Sequence, residues 1–158
     1  MLLSDSSIKK SDLVEPLIEE HVSPVSVDLT LAGDGLTEDH QRVEFEQLEL
    51  KPGEFMLLRT NEVIKVPNGI AGIVKGKSSI ARQGLMVECA GFVDPGFSGT
   101  ITLEVKNLNQ RRSLYLDRNQ KICQVVFFKA EYSDQLYSKE TGHHYQHQVE
   151  TTKSALDE

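Results

Sequence analysis

Alternation of apolar and polar residues predicts short β-strands along most of this chain. The clearest run is Thr100 to Lys106, in which Ile101, Leu103 and Val105 share one face and polar side chains share the other. Similar short runs, bounded by turn residues, occupy residues 25–31, 43–50, 55–59, 63–66, 70–75, 114–116 and 122–128. Many short strands at close intervals are typical of an all-β barrel or sandwich.

Helices should be short and few. The apolar spacing within residues 4–20 is compatible with helix, but Pro16 interrupts it, which predicts one or two short helices at the N-terminus. Residues 78–83 are compatible with a helical turn between two strands. Between Phe45 and Leu48 the alternation slips by one position, which predicts a β-bulge.

The composition is that of one globular domain with its own core. The chain has 158 residues, of which 39% are hydrophobic and 26% charged. We expect residues 1–136 to form this domain. The stretch from residue 143 to residue 158 is polar and lacks periodicity. We therefore expect residues 137–158 to form a C-terminal flap that orders over a bound ligand, with a disordered tail as the alternative.

Charge and segment patterns restrict the partners and the compartment. A net charge of −7 argues against general affinity for nucleic acids or anionic membranes. The chain shows neither a secretory leader pattern nor an apolar stretch of transmembrane length, so we expect a cytoplasmic protein of cellular or viral origin. Cys89 and Cys123 lie far apart without a metal-ligand spacing, which favours reduced thiols.

The segment from Gly76 to Leu85 combines positive charge with hydroxyl groups. The hydroxyls of Ser78 and Ser79 and the guanidinium of Arg82, together with backbone N–H groups where the short helix begins, could cradle a triphosphate. Lys77 adds a further charge. The alternative is a capped helix with a solvated basic face, and residue types alone favour that alternative slightly.

The segment from Gly91 to Glu104 carries two candidate carboxylates. Asp94-Pro95-Gly96 is a favoured β-turn sequence, and it could also hold a carboxylate rigidly beside a sugar hydroxyl or a water. Phe97 next to it is either a core residue or a ring that stacks on a sugar or base. Glu104 lies either on an exposed face of its strand or on a pocket wall, where a partly desolvated carboxylate would suit proton transfer.

The sequence does not predict a metal held by the protein. His143 and His144 are adjacent, and neighbours on an extended chain point in opposite directions. The His-x-Glu and Pro-Cys-x-x-Cys pattern of zinc deaminases is missing from the sequence, so any deamination would proceed without zinc.

Residue by residue, the chain resembles the dCTP deaminase/dUTPase superfamily, and the deaminase branch most closely. The resemblance begins at Met1-Leu2-Leu3-Ser4-Asp5, passes through Ser26-Val27-Asp28-Leu29 and is strongest in the segments 77–85 and 91–104. It resumes at Tyr137 and at Tyr145-Gln146-His147-Gln148. It implies a distorted, dUTPase-like β-barrel assembled as a homotrimer, with active sites between subunits. It also implies deoxynucleoside triphosphate substrates, dCTP or dUTP, that carry Mg²⁺ on their phosphates.

The resemblance assigns phosphate contacts to the first motif and to the tail. Ser78, Ser79 and Arg82 match the family's Ser-Ser-x-x-Arg, and Lys77 stands where the family usually has Arg. Arg82 and Ser78 would also orient the reacting groups. The tail residues that match those closing on the phosphates are Tyr137, His144, Tyr145 and Gln148, with His144 where Lys is common.

The resemblance assigns the chemistry to the second motif. Glu104 matches the general acid/base of the deaminases, and the backbone of Ala90 would help to orient the attacking water. Asp94 matches the residue that contacts the sugar 3′-hydroxyl, and in dUTPases and bifunctional members the same residue activates water. Phe97 matches an aromatic residue that packs on deoxyribose and excludes ribose.

One departure mixes the two branches. The run from Val87 to Ala90 lacks the Thr typical of deaminases and is one residue short, which is closer to dUTPases, whereas dUTPases carry an apolar residue at the position of Glu104. The leading hypothesis is a zinc-independent dCTP deaminase that makes dUTP and ammonia. The alternative is a dUTPase or a bifunctional enzyme that makes dUMP. A non-catalytic nucleotide-binding module is less favoured, because it would need neither Asp94 nor Glu104.

Overall fold

The protein is built almost entirely from β-strands. The computed structural model describes residues 1–88 and 91–157. The strands are β1 (Val14–Glu15), β2 (Val22–Ser23), β3 (Ser26–Thr37), β4 (Arg42–Glu44), β5 (Gln47–Leu50), β6 (Phe55–Lys65), β7 (Ile70–Gly76), β8 (Leu85–Glu88), β9 (Phe92–Val93), β10 (Ser98–Asn107), β11 (Leu114–Asp117) and β12 (Lys121–Lys129). The helices are α1 (Asp5–Lys9) and α2 (Ser78–Ala81), with 3₁₀ turns at Glu19–His21, Lys139–Thr141 and Ala155–Asp157.

Most strands belong to one curled antiparallel sheet. Its hydrogen-bonded path runs β8-β10-β6-β3-β12-β7-β9, while β1, β2 and β4 pair with strands of that path, and β5 pairs with β11 in a separate two-stranded sheet. The sheet curls until β7 meets β8, since a Cβ built on Gly76 would lie only 3.3 Å from Cβ of Val87. The predicted all-β class, a distorted barrel with short helices at the N-terminus and between strands, is confirmed.

Strand β10 shows how the apolar alternation builds the core. Leu103 and Val105 are fully buried and Ile101 is buried, whereas Thr102 and Glu104 between them are only half-buried. The buried face joins a single cluster with side chains from strands across the sheet. The predicted division of β10 into an apolar and a polar face is therefore confirmed, and its polar face is free to form another surface.

The two strands predicted at 55–59 and 63–66 are one continuous strand, β6. Irregular register occurs in its partners instead, between Leu31 and Gly35 of β3 and between Thr100 and Thr102 of β10. The polar residues that suggested a break are buried and satisfied. Both carboxylate oxygens of Glu62 accept hydrogen bonds from Thr30, one from its backbone N–H at 2.9 Å and one from its hydroxyl at 2.7 Å.

The bulge predicted between Phe45 and Leu48 is wrong. Strand β4 before it pairs with β3 in the large sheet, and β5 after it pairs with β11 in the small sheet. The slip in the alternation therefore marks a change of sheet. In the N-terminal region, where one or two helices were expected, α1 and one 3₁₀ turn form, separated by β1, which pairs with β6.

The C-terminal segment lies along the start of β10. The backbone N–H of Thr100 donates to the carbonyl oxygen of Gln148 at 2.9 Å, and that of His147 donates to Ser98 at 2.6 Å. Gly99 permits this approach, because a Cβ there would lie 3.0 Å from the backbone nitrogen of Gln148. The boundary expected at residue 137 stays a prediction. Among the described residues, no helix has the length and apolar character needed to span a bilayer.

The buried carboxylate of Glu62 provides a test of this fold. Glu62→Gln replaces one acceptor with an NH₂ donor that faces a donor of Thr30. We expect the free energy of unfolding to fall by about 1–3 kcal/mol, measured by urea denaturation. Glu49→Gln, on exposed strand β5, is the control and should change stability by less than about 0.5 kcal/mol. Equal stability of Glu62→Gln and the wild type would contradict this account of the buried polar positions in β6.

Candidate active site

A cavity of about 470 Å³ lies between β10, the turn that precedes it and the C-terminal segment. Its size suits a small organic molecule. Part of its wall is apolar, formed by Phe55, Leu57, Phe92 and Ile101 among others. The predicted site residues that line it are Asp94, Phe97, Glu104, Tyr137, Tyr145 and Gln148.

Strand periodicity directs Glu104 into this cavity. Because Leu103 and Val105 point into the core, Glu104 and Thr102 must point to the opposite face, and both line the cavity. Glu104 faces Leu57 of β6 in the antiparallel register, and its Oε2 atom is buried. Of the two placements that the sequence allowed, the structure has the pocket wall. The chemical role of Glu104 stays a prediction.

The turn that carries Asp94 is held from two sides. It closes with a hydrogen bond of 3.1 Å from the N–H of Phe97 to the carbonyl oxygen of Asp94. The N–H of Gly96, whose φ is +98°, donates to Val66 at 2.6 Å. On the other side, the N–H of Tyr137 donates to Pro95 at 2.8 Å. The turn therefore holds the Asp94 carboxylate at the cavity wall with little freedom.

Aromatic packing joins this turn to the C-terminal segment. The buried ring of Phe97 meets the ring of Tyr137 edge-on, with centroids 5.4 Å apart, and His143 stacks on Tyr137 at 4.2 Å. Burial raises the pKa of Tyr137, and the nearby charge of Asp94 raises it further. A hydrogen bond from the N–H of Tyr145 lowers the pKa, but it does not outweigh burial. Tyr137 therefore presents a neutral phenol to the cavity at physiological pH.

Gln148 is tied to the barrel as well as lining the cavity. Its amide nitrogen donates to the carbonyl oxygen of Thr100 at 2.6 Å, and its amide oxygen accepts from the hydroxyl of Thr152 at 2.8 Å. Gln146 makes similar contacts, accepting from Ser98 N–H at 2.9 Å and donating to Gly96 at 2.8 Å. These two glutamines hold the segment against β10.

The predicted phosphate residues of the first motif lie outside this cavity. Lys77 is the N-cap of α2, Ser78 and Ser79 begin that helix, and Arg82 is its C-cap; both serines and Arg82 are exposed. None of them lines the 470 Å³ cavity. The structure therefore separates the predicted site into a cavity group and an α2 group within one chain.

Two further predicted residues stand apart from both groups. His144 lines a neighbouring cavity of about 730 Å³, which shares His40, Tyr145 and Lys153 with the first. Ala90, expected to orient a water, lies outside the described residues. Among the described residues, no group of three or more His, Cys, Asp or Glu side chains could hold a metal ion.

An ion cluster anchors α2 to β3. Asp28, which is buried, accepts from Nζ of Lys77 at 2.5 Å and lies 3.2 Å from Nζ of Lys121. Burial alone would raise the pKa of Asp28, but the hydrogen bonds and charges of the two lysines outweigh burial, so this pKa lies below its ordinary value. Asp28 stays ionised and fixes the lysine that begins the predicted phosphate cradle.

Sequence reasoning missed several residues that this geometry makes important. Asp28 and Gln146 lie in segments that carry the family resemblance, but the sequence did not assign them their structural roles, which are to bind Lys77 and to hold the tail. Lys153 and His40 line the cavity, and neither has a distinguishing sequence pattern. Their positions depend on how distant segments meet.

Comparison with protein families and curated relatives agrees with these features. A family model described as dCTP deaminase-like matches residues 2–130. A dUMP-forming dCTP deaminase of Coprothermobacter proteolyticus is 38% identical over 152 residues, covering 80% of this chain and 81% of the relative. Another, of Dictyoglomus thermophilum, is 35% identical over an alignment of 186 positions, which covers 99% of this chain and 95% of the relative.

Solved structures share the fold at low sequence identity. A 2′-deoxycytidine 5′-triphosphate deaminase from Agrobacterium tumefaciens superposes with a TM-score of 0.70 at 17% identity, over 82% of this chain and 48% of that chain. This chain thus spans about half the length of that protein. A dUTPase from phage phi11 of S. aureus gives a TM-score of 0.57 at 16% identity, over 79% of this chain and 89% of that chain.

Removing the charge of Asp28 should destabilise the fold. We expect Asp28→Asn to lower the free energy of unfolding at pH 7 by about 1–3 kcal/mol, measured by urea denaturation. Because the pKa of the folded state lies below the usual 3.8, this stabilisation is complete above about pH 4 and is lost only as the pH falls through the lowered pKa.

The control for this variant is Glu15→Gln. Glu15 pairs with Lys65, and both side chains are largely exposed, so its loss should cost less than about 1 kcal/mol. If Asp28→Asn is as stable as wild type at pH 7, the Asp28 cluster does not hold α2 in place.

Proposed function

Because this chain belongs to the dCTP deaminase-like family, we propose that it is a dUMP-forming dCTP deaminase. It would convert dCTP and water to dUTP and ammonia, and then dUTP and water to dUMP and pyrophosphate. The observation that carries this proposal is the presence of Asp94 and Glu104 on the wall of one cavity. The names of the Coprothermobacter and Dictyoglomus relatives support the same reaction. A cytoplasmic location is part of this proposal.

Glu104 is the proposed general acid/base of deamination. Its carboxylate takes a proton from a water that attacks C4 of cytosine. It passes this proton to N3 of the cytosine ring, and then carries the proton of the new C4 hydroxyl to the amino group, so that the C4–N bond breaks, ammonia leaves and the C4 carbonyl forms. The half-buried position of Glu104 beside Leu57 and Ile101 supports this role, since these apolar side chains restrict competing water.

Asp94 is the proposed base of the second reaction. It would activate a water for attack on the α-phosphate of dUTP, with pyrophosphate as the leaving group. The substrate brings Mg²⁺ on its phosphates, and that ion supplies charge neutralisation. During deamination the same carboxylate would instead hold the 3′-hydroxyl of the sugar. Phe97 and Tyr137, which pack on the Asp94 turn, would then border the deoxyribose.

The proposed enzyme is a homotrimer that shares its sites between subunits. Ser78, Ser79 and Arg82 are exposed and do not line the cavity of their own chain. A neighbouring subunit that presents its α2 at the cavity would complete the site, with Arg82 bonded to phosphate. Family resemblance motivates this arrangement, and the separation of the two groups supports it.

Two variants should separate the two reactions. Glu104→Gln keeps the size of the side chain but removes its base, so ammonia release from dCTP should fall by about 10²-fold or more while dUTP hydrolysis continues. Asp94→Asn should stop pyrophosphate release from dUTP and reduce deamination only moderately. Both products are measured with purified protein, Mg²⁺ and each nucleotide.

The products that the wild-type protein forms from dCTP and dUTP distinguish the proposal from its alternatives. Ammonia without pyrophosphate indicates a simple dCTP deaminase. Brisk dUTP hydrolysis with dCTP untouched indicates a dUTPase, as the short Val87 to Ala90 run suggested. No turnover of either nucleotide would leave only a binding module.

Mixing two inactive variants should test the shared site. Arg82→Ala and Glu104→Gln are each expected to lose deamination of dCTP. If each site combines Arg82 of one subunit with Glu104 of another, randomly mixed trimers should recover about a quarter of wild-type deamination. Co-refolding the two proteins and measuring ammonia release checks this. If the mixture is no more active than its components, one chain supplies both residues.

A further inference from the structure

We infer that a polar cluster outside the cavity positions the C-terminal segment as its lid. This cluster, the Asp34 clamp, consists of Asp34, Arg42, Arg59, Glu150 and Thr151. Its first three members belong to strands of the large sheet and its last two to the C-terminal segment. The inference rests on the proposed function for its effect on nucleotide, but the clamp itself can be tested without any turnover.

Asp34 is the centre of the clamp. Its carboxylate lies 2.7 Å from Nη2 of Arg59 and 3.7 Å from Nη1 of Arg42. The hydroxyl of Thr151 lies 3.2 Å from the same carboxylate and 3.5 Å from the backbone oxygen of Asp34. Arg42 in turn binds Glu150 at 2.9 Å. Neighbouring residues of the tail are thus bound to two strands, β3 and β4, and through Asp34 to a third, β6.

Along the tail, the clamp lies between two groups of residues that line the cavity. Tyr145 and Gln148, which precede it, line the cavity, and so do residues 152–154, which follow it directly. Glu150 and Thr151 themselves do not line the cavity. Holding these two residues therefore fixes the cavity-lining residues on both sides of them.

Burial shows which contact of the clamp matters most. Thr151 is only 2% exposed, in a tail that is otherwise largely exposed. Asp34 and Arg59 have side chains that are 15% and 21% exposed, so their ion pair is partly screened from water. The side chains of Arg42 and Glu150 are 45% and 66% exposed, and an exposed ion pair contributes little to stability. The Thr151 hydroxyl bond to Asp34 is therefore the most buried contact by which the clamp holds the tail.

This arrangement predicts an effect on binding more than on chemistry. None of the clamp residues lines the 470 Å³ cavity, although Arg42, Glu150 and Thr151 line the adjoining 730 Å³ cavity. With respect to Glu104 and Asp94 they are therefore positioning residues. When the tail opens more often, the fraction of protein ready to bind nucleotide falls and KM rises in proportion. Once nucleotide is bound and the lid is closed, Glu104 and Asp94 are unchanged, so kcat should stay nearly the same.

Thr151→Val is the sharpest test, because it removes the hydroxyl and keeps the volume and the Asp34–Arg59 pair. We expect amide hydrogen exchange of residues 145–154, measured without nucleotide, to be roughly three- to tenfold faster than in wild type. KM for dCTP with Mg²⁺ should rise by a similar factor, with kcat within about twofold. Thr151→Ser, which restores the hydroxyl, should recover both values.

A matched pair of arginine variants provides the control. Arg42→Ala removes the Arg42–Glu150 contact and should give a smaller, salt-sensitive increase in tail exchange. Arg118 makes a similar 2.8 Å contact to Glu46 that includes no tail residue, although both line a cavity with Arg42 and Glu150. Arg118→Ala should therefore leave tail exchange and KM at wild-type values. Exchange of β10 amides reports whether any variant loosens the whole barrel.

Two results would overturn the inference. Thr151→Val with wild-type exchange in residues 145–154 would show that the clamp does not hold the tail. Faster exchange with an unchanged KM would show that the tail position does not control access to the cavity. A wild type that turns over neither dCTP nor dUTP contradicts the proposed function instead, and the exchange measurement remains decisive for the clamp.

Discussion

Burial of alternate residues on β10 is the constraint on which the candidate site depends. Leu103 and Val105 are fully buried in the core, so the strand cannot rotate or slip without exposing them. Register with β6 then places Glu104 opposite Leu57, on the wall of the cavity. A carboxylate in the middle of a strand is thus held by packing on the other face, and its orientation needs no mobile loop.

The C-terminal segment contributes to the fold as well as to the site. Gln146 and Gln148 bind the start of β10, and Gly99 leaves room for the backbone to approach. Tyr137 packs on Phe97 and thereby supports the turn that carries Asp94. Of these side chains, Gln148 and Tyr137 also line the cavity, so the groups that dock the tail are available to a ligand in the cavity.

Helix α2 carries predicted phosphate residues that lie outside the cavity, so it must be held in place by contacts of its own. Lys77 stands where the family usually has Arg, and its ammonium group is bound to Asp28 at 2.5 Å. A lysine engaged in this way has less freedom to bind a phosphate, so Arg82 and the serines of α2 carry more of the proposed contact. The same ion pair holds the N-cap of α2 to β3, which keeps those groups in a defined position.

Period-two alternation determined the strand class and the two faces of β10, and the residue identities in segments 77–85 and 91–104 carried the family resemblance. Both are properties of residues close together in the chain. The sequence alone misread β6 as two strands, since it could not show that Thr30 would satisfy Glu62 across 32 residues. It also left Glu104 between an exposed face and a pocket wall. Only the tertiary structure decided that question, and only it joined Thr151 to Asp34 and Lys77 to Asp28. Such contacts join residues far apart in the chain, and no local pattern records which distant side chains will meet.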